Sequence, residues 1–450
     1  MKKICLNDVL NAVHGKFFGN KNKLSEFIFD VNIDSRKACN KSLFIAIKGE
    51  NFDGHDFIEQ AFINGAICVL SEKMLDIKKS FIKVESSKQA LLDLAEYYRS
   101  LFKIKVIAVT GSYGKTTVKD LISDVLKSKY RVVKSTGNFN NNIGLPLSVF
   151  KINDETEILV LEMGTNHFGE ISALSKVAKP DICVINNIGI AHIENFLDKD
   201  GILKAKSEIF DYASKNFIGI LNGDDDYLRK IELDGTRVFY CGFKKNNDIY
   251  IEKISQDKKN FKVNVMDCEI NLKFINEMFI KNCVMAIGVG EYFGIEDKDI
   301  KQAIENFKFK NMRMELINIK EDKFYVINDA YNANPDSMRG AIDNLVLFDK
   351  KGIKKKICIL GDMFELGDKA KEFHAEIGRY INDKKLDLVV CIGELSKNIF
   401  GEINKIDKEY YESKEKFFNG MEKFDFSESV VLVKASRGMK FEEIVNKFMV

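Results

Sequence analysis

The stretch Val106–Ile122, VIAVTGSYGKTTVKDLI, runs from an apolar strand through a loop of small residues into an amphipathic helix. A strand, a glycine-bearing turn and a helix opening on Lys-Thr-Thr have the outline of a phosphate cradle. In the general pattern G-x-x-x-x-G-K-[ST], Gly114, Lys115 and Thr116 fit, but Val109 holds the place of the first glycine and Gly111 follows two residues later. The physics survives that departure. Gly111 and Gly114, with Ser112 between them, let backbone amides turn toward an anion at a helix N-terminus. Lys115 supplies a point charge for the outer phosphates, and the hydroxyl of Thr116 or Thr117 can ligate Mg²⁺. Motors, switches, kinases and ligases all use such a loop, so the reaction has to be read elsewhere.

Outward from this loop the same design recurs. EILVLEMGTN, DICVINNIGIAH and FIGILNGDDD, then KFYVINDAYNANPDS, KKICILGDMFELGD, LDLVVCIGELS and ESVVLVKASRG are apolar runs ending in polar loops. Alternation of such runs with helical stretches predicts an α/β protein with parallel sheets, whose ligands gather at the carboxyl ends of the strands. Before the loop, SLFIAIKG and GAICVLSE read as short strands and LLDLAEYYRSLF as a helix. Residues 1–102, 103–308 and 309–450 therefore read as three domains, in keeping with 450 residues being too many for one core.

A 45% hydrophobic and 30% charged composition is that of a soluble globular chain, and a net charge of +2 gives no electrostatic reason to expect nucleic acid or an anionic membrane. The nine cysteines include no C-x-x-C pair, and Cys183, Cys358 and Cys391 sit in apolar runs, as buried free thiols of a reducing compartment would. The basic N-terminus lacks a signal-peptide core, and no run reaches the roughly 18 apolar residues of a membrane span. A cytoplasmic protein is expected.

Several strand ends carry candidate chemistry. Glu162 closes EILVLE, where an acid beside a phosphate loop commonly holds Mg²⁺ directly or through water. His192 follows the strand of VINNIGIAH and could join Glu162 at a second metal ion. In STGNFNNNIGLPLSV the asparagines, Asn138 and Asn141 among them, mark either a turn or a loop that binds substrate. Asp329, Asn332, Asn334 and Ser337 crowd NDAYNANPDS, where Asp336 could cap the next helix. Lys204 and Lys206 in ILKAKSEIF read as surface lysines. NKID (Asn404–Asp407) and DKDG (Asp198–Gly201) imitate guanine-nucleotide motifs, but neither follows an apolar strand.

Taken together, TGSYGKTT, GNFNNNIGLPLS, LEMGTNHFGEI, NIGIAHIENF, AKSEIF, NDAYNANPDSM, GDMFELG and KASRGMKFEEIV resemble the Mur ligases, in order and over essentially the whole chain. The resemblance implies a small α/β N-terminal domain, a central P-loop-type parallel-sheet ATPase domain and a C-terminal Rossmann-like domain. It implies ATP-dependent amide formation with Mg²⁺, adding D-alanyl-D-alanine to UDP-N-acetylmuramoyl-tripeptide in peptidoglycan precursor synthesis, by a monomer. On it, Asp34, Ser35 and Arg36, with the turn Asp53-Gly54-His55, belong to the uridine-nucleotide site. Lys115 and Thr116 contact ATP and Mg²⁺, and Glu162 and His192 hold Mg²⁺. Lys206 matches a carbamylated lysine, which would give an unremarkable lysine an anionic, metal-orienting role. Asn282 in FIKNCVMAI matches an adenine contact, Arg313 and Asp329 match nucleotide contacts, and Asn332 and Asn334 face the dipeptide. Two departures stand out: Met312 occupies a position where the family commonly has glycine, and no D-N-P-R stretch is present. The tripeptide-forming ligases use that stretch, so its absence favours the dipeptide-adding activity.

Other readings are a different Mur-type or folylpolyglutamate-type ligase, or a switch that hydrolyses ATP only to change shape. Dependence of ADP release on particular peptide substrates separates them.

Overall fold

The structure is a computed structural model, and it describes residues 1–190, 193–257, 260–266, 268–272, 277–320 and 323–449. Strand Lys105–Thr110 lies inside a nine-stranded sheet, paired in parallel with Ile158–Glu162 on one side and Ile182–Ile185 on the other. Val132–Lys134 closes the first edge. Ile218–Asn222, Arg237–Gly242 and Ile249–Asp257 extend the other edge in parallel, and Asn260–Val265 and Cys268–Leu272 then fold back antiparallel. Strand order reverses around Lys105–Thr110, which opens a crevice at the carboxyl ends of the strands. Register sets Glu162 opposite Val109 and Ile185 opposite Thr110, so the three strand tips lie level.

The two-residue period of a strand divides this sheet between two cores. Val106, Ala108, Leu159, Leu161 and Cys183 face one core, and Ile107, Val109, Val160 and Val184 face the other. The second core is covered by helix Lys115–Leu126, which begins at the phosphate loop, and by helix Glu277–Tyr292. The first is continuous with the interior of the N-terminal unit, which supplies Leu6, Val9, Ile28 and Leu43. That unit holds a five-stranded sheet in the spatial order Lys16–Phe18, Phe81–Lys83, Ala66–Ser71, Ser42–Ile45, Asp30–Asn32, parallel apart from the first, beside the short antiparallel pair Ile4–Cys5 and Phe27–Ile28.

The C-terminal unit is a six-stranded sheet in the order Glu315–Lys320, Phe324–Asn328, Ser429–Lys434, Lys355–Gly361, Leu388–Ile392, Asp407–Tyr411. Four of its parallel strands are the apolar runs expected from the sequence, and the fifth, Asp407–Tyr411, is a polar edge strand that the apolar pattern did not mark. Glu315–Lys320, an antiparallel edge, alternates half-buried and exposed residues instead. All nine cysteines are free thiols, and the seven that lie in strands or helices beyond Cys39 are buried. Among the described residues no helix is long and apolar enough to cross a membrane.

The N-terminal and middle units are pinned at Tyr98, on helix Ser87–Ser100. Its ring is buried against Phe102 and Phe150. Its hydroxyl donates to Ile152 O and accepts from Lys2 N, both at 2.6 Å. Tyr98→Phe keeps the ring but leaves the buried Ile152 carbonyl and the part-buried Lys2 amide without their partner, which costs about 1–3 kcal/mol. The urea midpoint of the variant should fall accordingly, with ring packing intact by near-ultraviolet circular dichroism.

Candidate functional site

The phosphate loop is shaped from below. Gly111 has φ +150° and Gly114 φ +73°, and the side chain of Asn186 fills the space that both leave. A Cβ on Gly111 would lie 1.6 Å from Asn186 Oδ1, and one on Gly114 3.0 Å from Asn186 Nδ2. Asn186 Nδ2 donates to Tyr113 O at 2.6 Å. The neighbouring Asn187 Oδ1 accepts from both Ser112 N (3.0 Å) and Tyr113 N (3.1 Å). Ser112, expected among the anion's ligands, thus directs its amide and its hydroxyl into this brace. Gly114 begins helix Lys115–Leu126 with no side-chain cap, which leaves the first-turn amides aimed at the crevice.

Lys115 Nζ folds back on its own loop, donating to Gly111 O (2.8 Å) and Ser112 O (3.2 Å). Burial lowers its pKa to about 8, against the pull of Glu162 and with help from the charge of Arg313. Thr116 Oγ1 donates to Glu162 Oε2 at 2.8 Å, and Asn140 Nδ2 donates to the other carboxylate oxygen at 2.8 Å. Glu162 is 1% exposed. Behind it, Glu162 N donates to Ser135 Oγ (3.2 Å), and the buried Lys119 donates to Ser135 O (3.0 Å), one helical turn after Lys115. A buried carboxylate and a hydroxyl in contact at the foot of a phosphate loop are hard oxygen donors of the kind Mg²⁺ takes, so these residues fit that ion.

Lys206 corrects the surface reading: it is 2% exposed, whereas Lys204 is exposed as expected. Its helix, Lys199–Ser207, turns Lys204 outward and Lys206 into the interior. Burial first, and then the charge of Lys115, drive its pKa well below the ordinary lysine value, while Glu208 and Glu170 oppose the shift. Both glutamates are tied to backbone: Glu208 accepts from Gly169 N (2.7 Å) and Ser172 N (3.2 Å), and Glu170 from Asn166 N (2.7 Å) and His167 N (3.1 Å). His192 lies outside the described residues, and among those residues no cluster of three His, Cys, Asp or Glu side chains could hold a metal.

The C-terminal unit faces this loop across a cavity of about 390 Å³. Lys115, Thr116, Thr117, Glu162 and Asn282 line one wall, and Arg313, Asp329, Asn332 and Asn334 the other. Asn282, on helix Glu277–Tyr292, comes close to Gly114, where a Cβ would meet its carboxamide at 3.1 Å. The guanidinium of Arg313 lies 3.8 Å from the Tyr331 ring centroid. Asp329 Oδ2 accepts from Lys434 Nζ at 2.5 Å, deep in the wall, and Lys434 also donates to Asn332 O at 2.9 Å. Asn334 caps helix Pro335–Leu347 reciprocally with Ser337, so the cap expected of Asp336 belongs to Asn334.

Other candidates lie differently. Asn141 borders the cavity but uses its Oδ1 to accept from Ile143 N and Gly144 N at the start of helix Gly144–Val149, and Asn138 is exposed. Asp34, Ser35 and Arg36 form a turn in the N-terminal unit, where Arg36 grips both oxygens of Asp34 at 2.9 Å. They do not border this cavity. Asn140, Asn186, Asn187 and Lys434 carry contacts here that sequence reading passed over. Each stands at or just beyond a strand end or beside a quoted motif, which is the one signal that could have marked them.

Comparison with known proteins follows the same three units. The family model "Mur ligase middle domain" matches residues 109–290, "Mur ligase, glutamate ligase domain" matches 312–437, and "Mur ligase family, catalytic domain" matches 28–99. The chain is 38% identical over 427 residues to UDP-N-acetylmuramoyl-tripeptide–D-alanyl-D-alanine ligase of Bacillus subtilis (strain 168), covering 93% of this chain and 92% of that protein. It superimposes on crystal structure I of MurF from Acinetobacter baumannii with a TM-score of 0.90 at 27% identity, over 100% of this chain and 99% of that one. With MurF ligase from Thermotoga maritima in complex with ADP the TM-score is 0.82 at 30% identity, over 93% and 97%.

Met312 explains why glycine suits its position. Asn311, Met312 and Met314 have φ of +59°, +57° and +50°, and the turn lets Met312 O accept from Tyr331 N at 3.1 Å while Met314 N donates to Asp329 Oδ1 at 3.0 Å. The left-handed backbone is therefore kept by a residue that strains to adopt it, at a cost of about 1–2 kcal/mol. Met312→Gly relieves that strain and gives back about 0.5–1 kcal/mol in unfolded-chain entropy. Thermal unfolding should show the variant level with the native chain or up to about 1.5 kcal/mol more stable, where glycine at an ordinary position destabilises.

Proposed function

Because the chain belongs to the Mur ligase family, we propose that it is the ATP-dependent ligase that joins D-alanyl-D-alanine to UDP-N-acetylmuramoyl-tripeptide, in the cytoplasm, for peptidoglycan synthesis. The supporting observation is the single cavity in which the phosphate loop, the Thr116–Glu162 pair and the Asn332–Asn334 loop meet. Full-length likeness to ligases of that name supports the choice of substrates. In this reading residues 1–102 hold the uridine-nucleotide end through the Asp34–Arg36 turn, 103–308 bind ATP, and 309–450 bring the dipeptide.

A carboxylate is a poor acyl donor because its leaving group would be an oxide. Its oxygen therefore attacks the γ-phosphorus, ADP departs, and an acyl phosphate forms. The dipeptide amine then attacks the acyl carbon, and the tetrahedral intermediate collapses to the amide, releasing inorganic phosphate and the amine's proton. Both steps bring anions together. Lys115 swings from its loop carbonyls to the phosphates, whose charge restores its own against the lowering by burial. Arg313 and the Asp329–Lys434 pair set the nucleotide's other flank. Thr116 and Glu162 would hold Mg²⁺, which supplies neutralisation of phosphate oxygens when bound. Holding three reactants in one cavity supplies up to roughly 7–11 kcal/mol of the acceleration, and the C-terminal wall keeps water from the acyl phosphate.

Lys206 carries the carbamate in this reading. A neutral amine is the form that adds to carbon dioxide, giving an N-carboxylate and a proton, and burial beside Lys115 favours that neutral form. The product is an anion next to a cation.

ADP release should require both UDP-N-acetylmuramoyl-tripeptide and D-alanyl-D-alanine. Equal release without the dipeptide, or with another amino acid in its place, overturns the reading, and Lys115→Ala should lower turnover by at least about 10²-fold. Lys206→Ala should lose most turnover and regain part of it with added short carboxylates. Unimpaired turnover in that variant removes the carbamate from the mechanism.

A further inference from the structure

Beneath the phosphate loop, residues 186–190 touch two units at once. Asn187 holds the amides of Ser112 and Tyr113, and Ser112 Oγ both donates to Gly189 O and accepts from Gly189 N, each at 2.9 Å. Ile188 N donates to Asp225 Oδ2 at 2.7 Å, which fixes the segment to the middle sheet. At the far end Ile190 N donates to Asp336 Oδ2 at 3.3 Å, and the Ile190 side chain packs against the C-terminal core.

Gly189 is where the two units press together. A Cβ there would lie 2.4 Å from Tyr113 Cε1 and 2.7 Å from Asp336 Oδ2. The ring of the phosphate loop and a carboxylate of the C-terminal unit therefore meet over one Cα. Burial, and next the charge of Asp336, raise the Tyr113 phenol far above its usual value, which agrees with that approach. Asp336 is not needed as a helix cap, because Asn334 and Ser337 make the cap. Arg339, at 3.8 Å from Asp336 Oδ1, is held by Glu376 at 2.7 Å, so Asp336 Oδ2 stays turned to Ile190.

We propose that Asp336 is a positioning residue for phosphoryl transfer, fastening the C-terminal unit to residues 186–190 and, through Gly189 and Asn187, fixing the phosphate loop while the units are together. The reaction it serves rests on the ligase reading above, whereas the fastening is a property of the loop itself and is tested without peptide substrates. Hydrogen exchange by mass spectrometry on the full chain reads it directly. In Asp336→Ala the amides of residues 110–115 and 186–190 should exchange about tenfold faster than in the native chain, a coupling typical of linked sites. Asp336→Asn keeps an oxygen for the Ile190 amide and should stay within about threefold of native.

Both variants remove the charge at the helix N-terminus, so a deficit shared equally by the two would mean a helix-dipole effect and overturn the proposal. Native exchange in Asp336→Ala would overturn it as well. Gly189→Ala, which keeps the Asp336 carboxylate but drives a methyl group against it and against Tyr113, should quicken exchange in the same two segments, and native rates there count against the proposal. In turnover assays Asp336→Ala should lower kcat about tenfold with KM for ATP within about threefold, and Asp336→Asn should recover it. If the native chain lacks dipeptide-dependent ADP release, the ligase reading falls and the exchange data still decide the fastening.

Discussion

The site hangs from the level tips of three parallel strands, Lys105–Thr110, Ile158–Glu162 and Ile182–Ile185. Parallel pairing with the first strand in the middle fixes which residues come next to one another: Gly111 beside Asn186 on one side, and Thr110 beside Met163 on the other, where Thr110 Oγ1 donates to Met163 O at 2.8 Å. A one-residue slip in either register would exchange the two faces of a strand and carry Glu162 away from Thr116. Burial on both faces makes such a slip costly, because each strand lends alternate residues to two separate cores.

On that line the chemistry is built largely from uncharged amides. Asn186 fills the space that two glycines leave, Asn187 gathers two loop amides on one oxygen, and Asn140 steadies Glu162. Carboxamides hold backbone in place without adding charge to a site that must receive polyphosphate. The charges that remain, on Lys115, Arg313 and the Lys434–Asp329 pair, face the cavity from opposite walls. Three lysines in this region, Lys119, Lys206 and Lys434, are buried to 1–2% exposure: Lys119 is satisfied by Ser135 O, Lys434 by Asp329, and Lys206 is left with a depressed affinity for its proton.

Much of this was legible beforehand. The alternation of apolar runs with helices gave three α/β bodies, and the phosphate loop, Glu162, Asn282, Arg313, Asp329, Asn332 and Asn334 all line one cavity. What escaped was of two kinds. Elements outside the alternating pattern were missed: the antiparallel strands Asn260–Val265 and Cys268–Leu272, and the edge strand Glu315–Lys320 with its left-handed entry. Roles that depend on a distant partner were also missed, as for Lys434, which meets Asp329 across 105 residues.

The sequence by itself determined which apolar runs are strands of the parallel sheets, that polar loops follow them, and that one of those loops is made for phosphate. Those are local matters, decided by periodicity, glycine and the start of a helix. Tertiary structure alone decided that Lys206 is interior rather than solvated, that Ser112 serves the brace under the loop, that Asn334 and not Asp336 caps its helix, and that Asp336 reaches the middle unit. Burial and pairing across two units follow from which strands lie side by side, and that is set by the packing of whole sheets, which no short stretch of chain encodes.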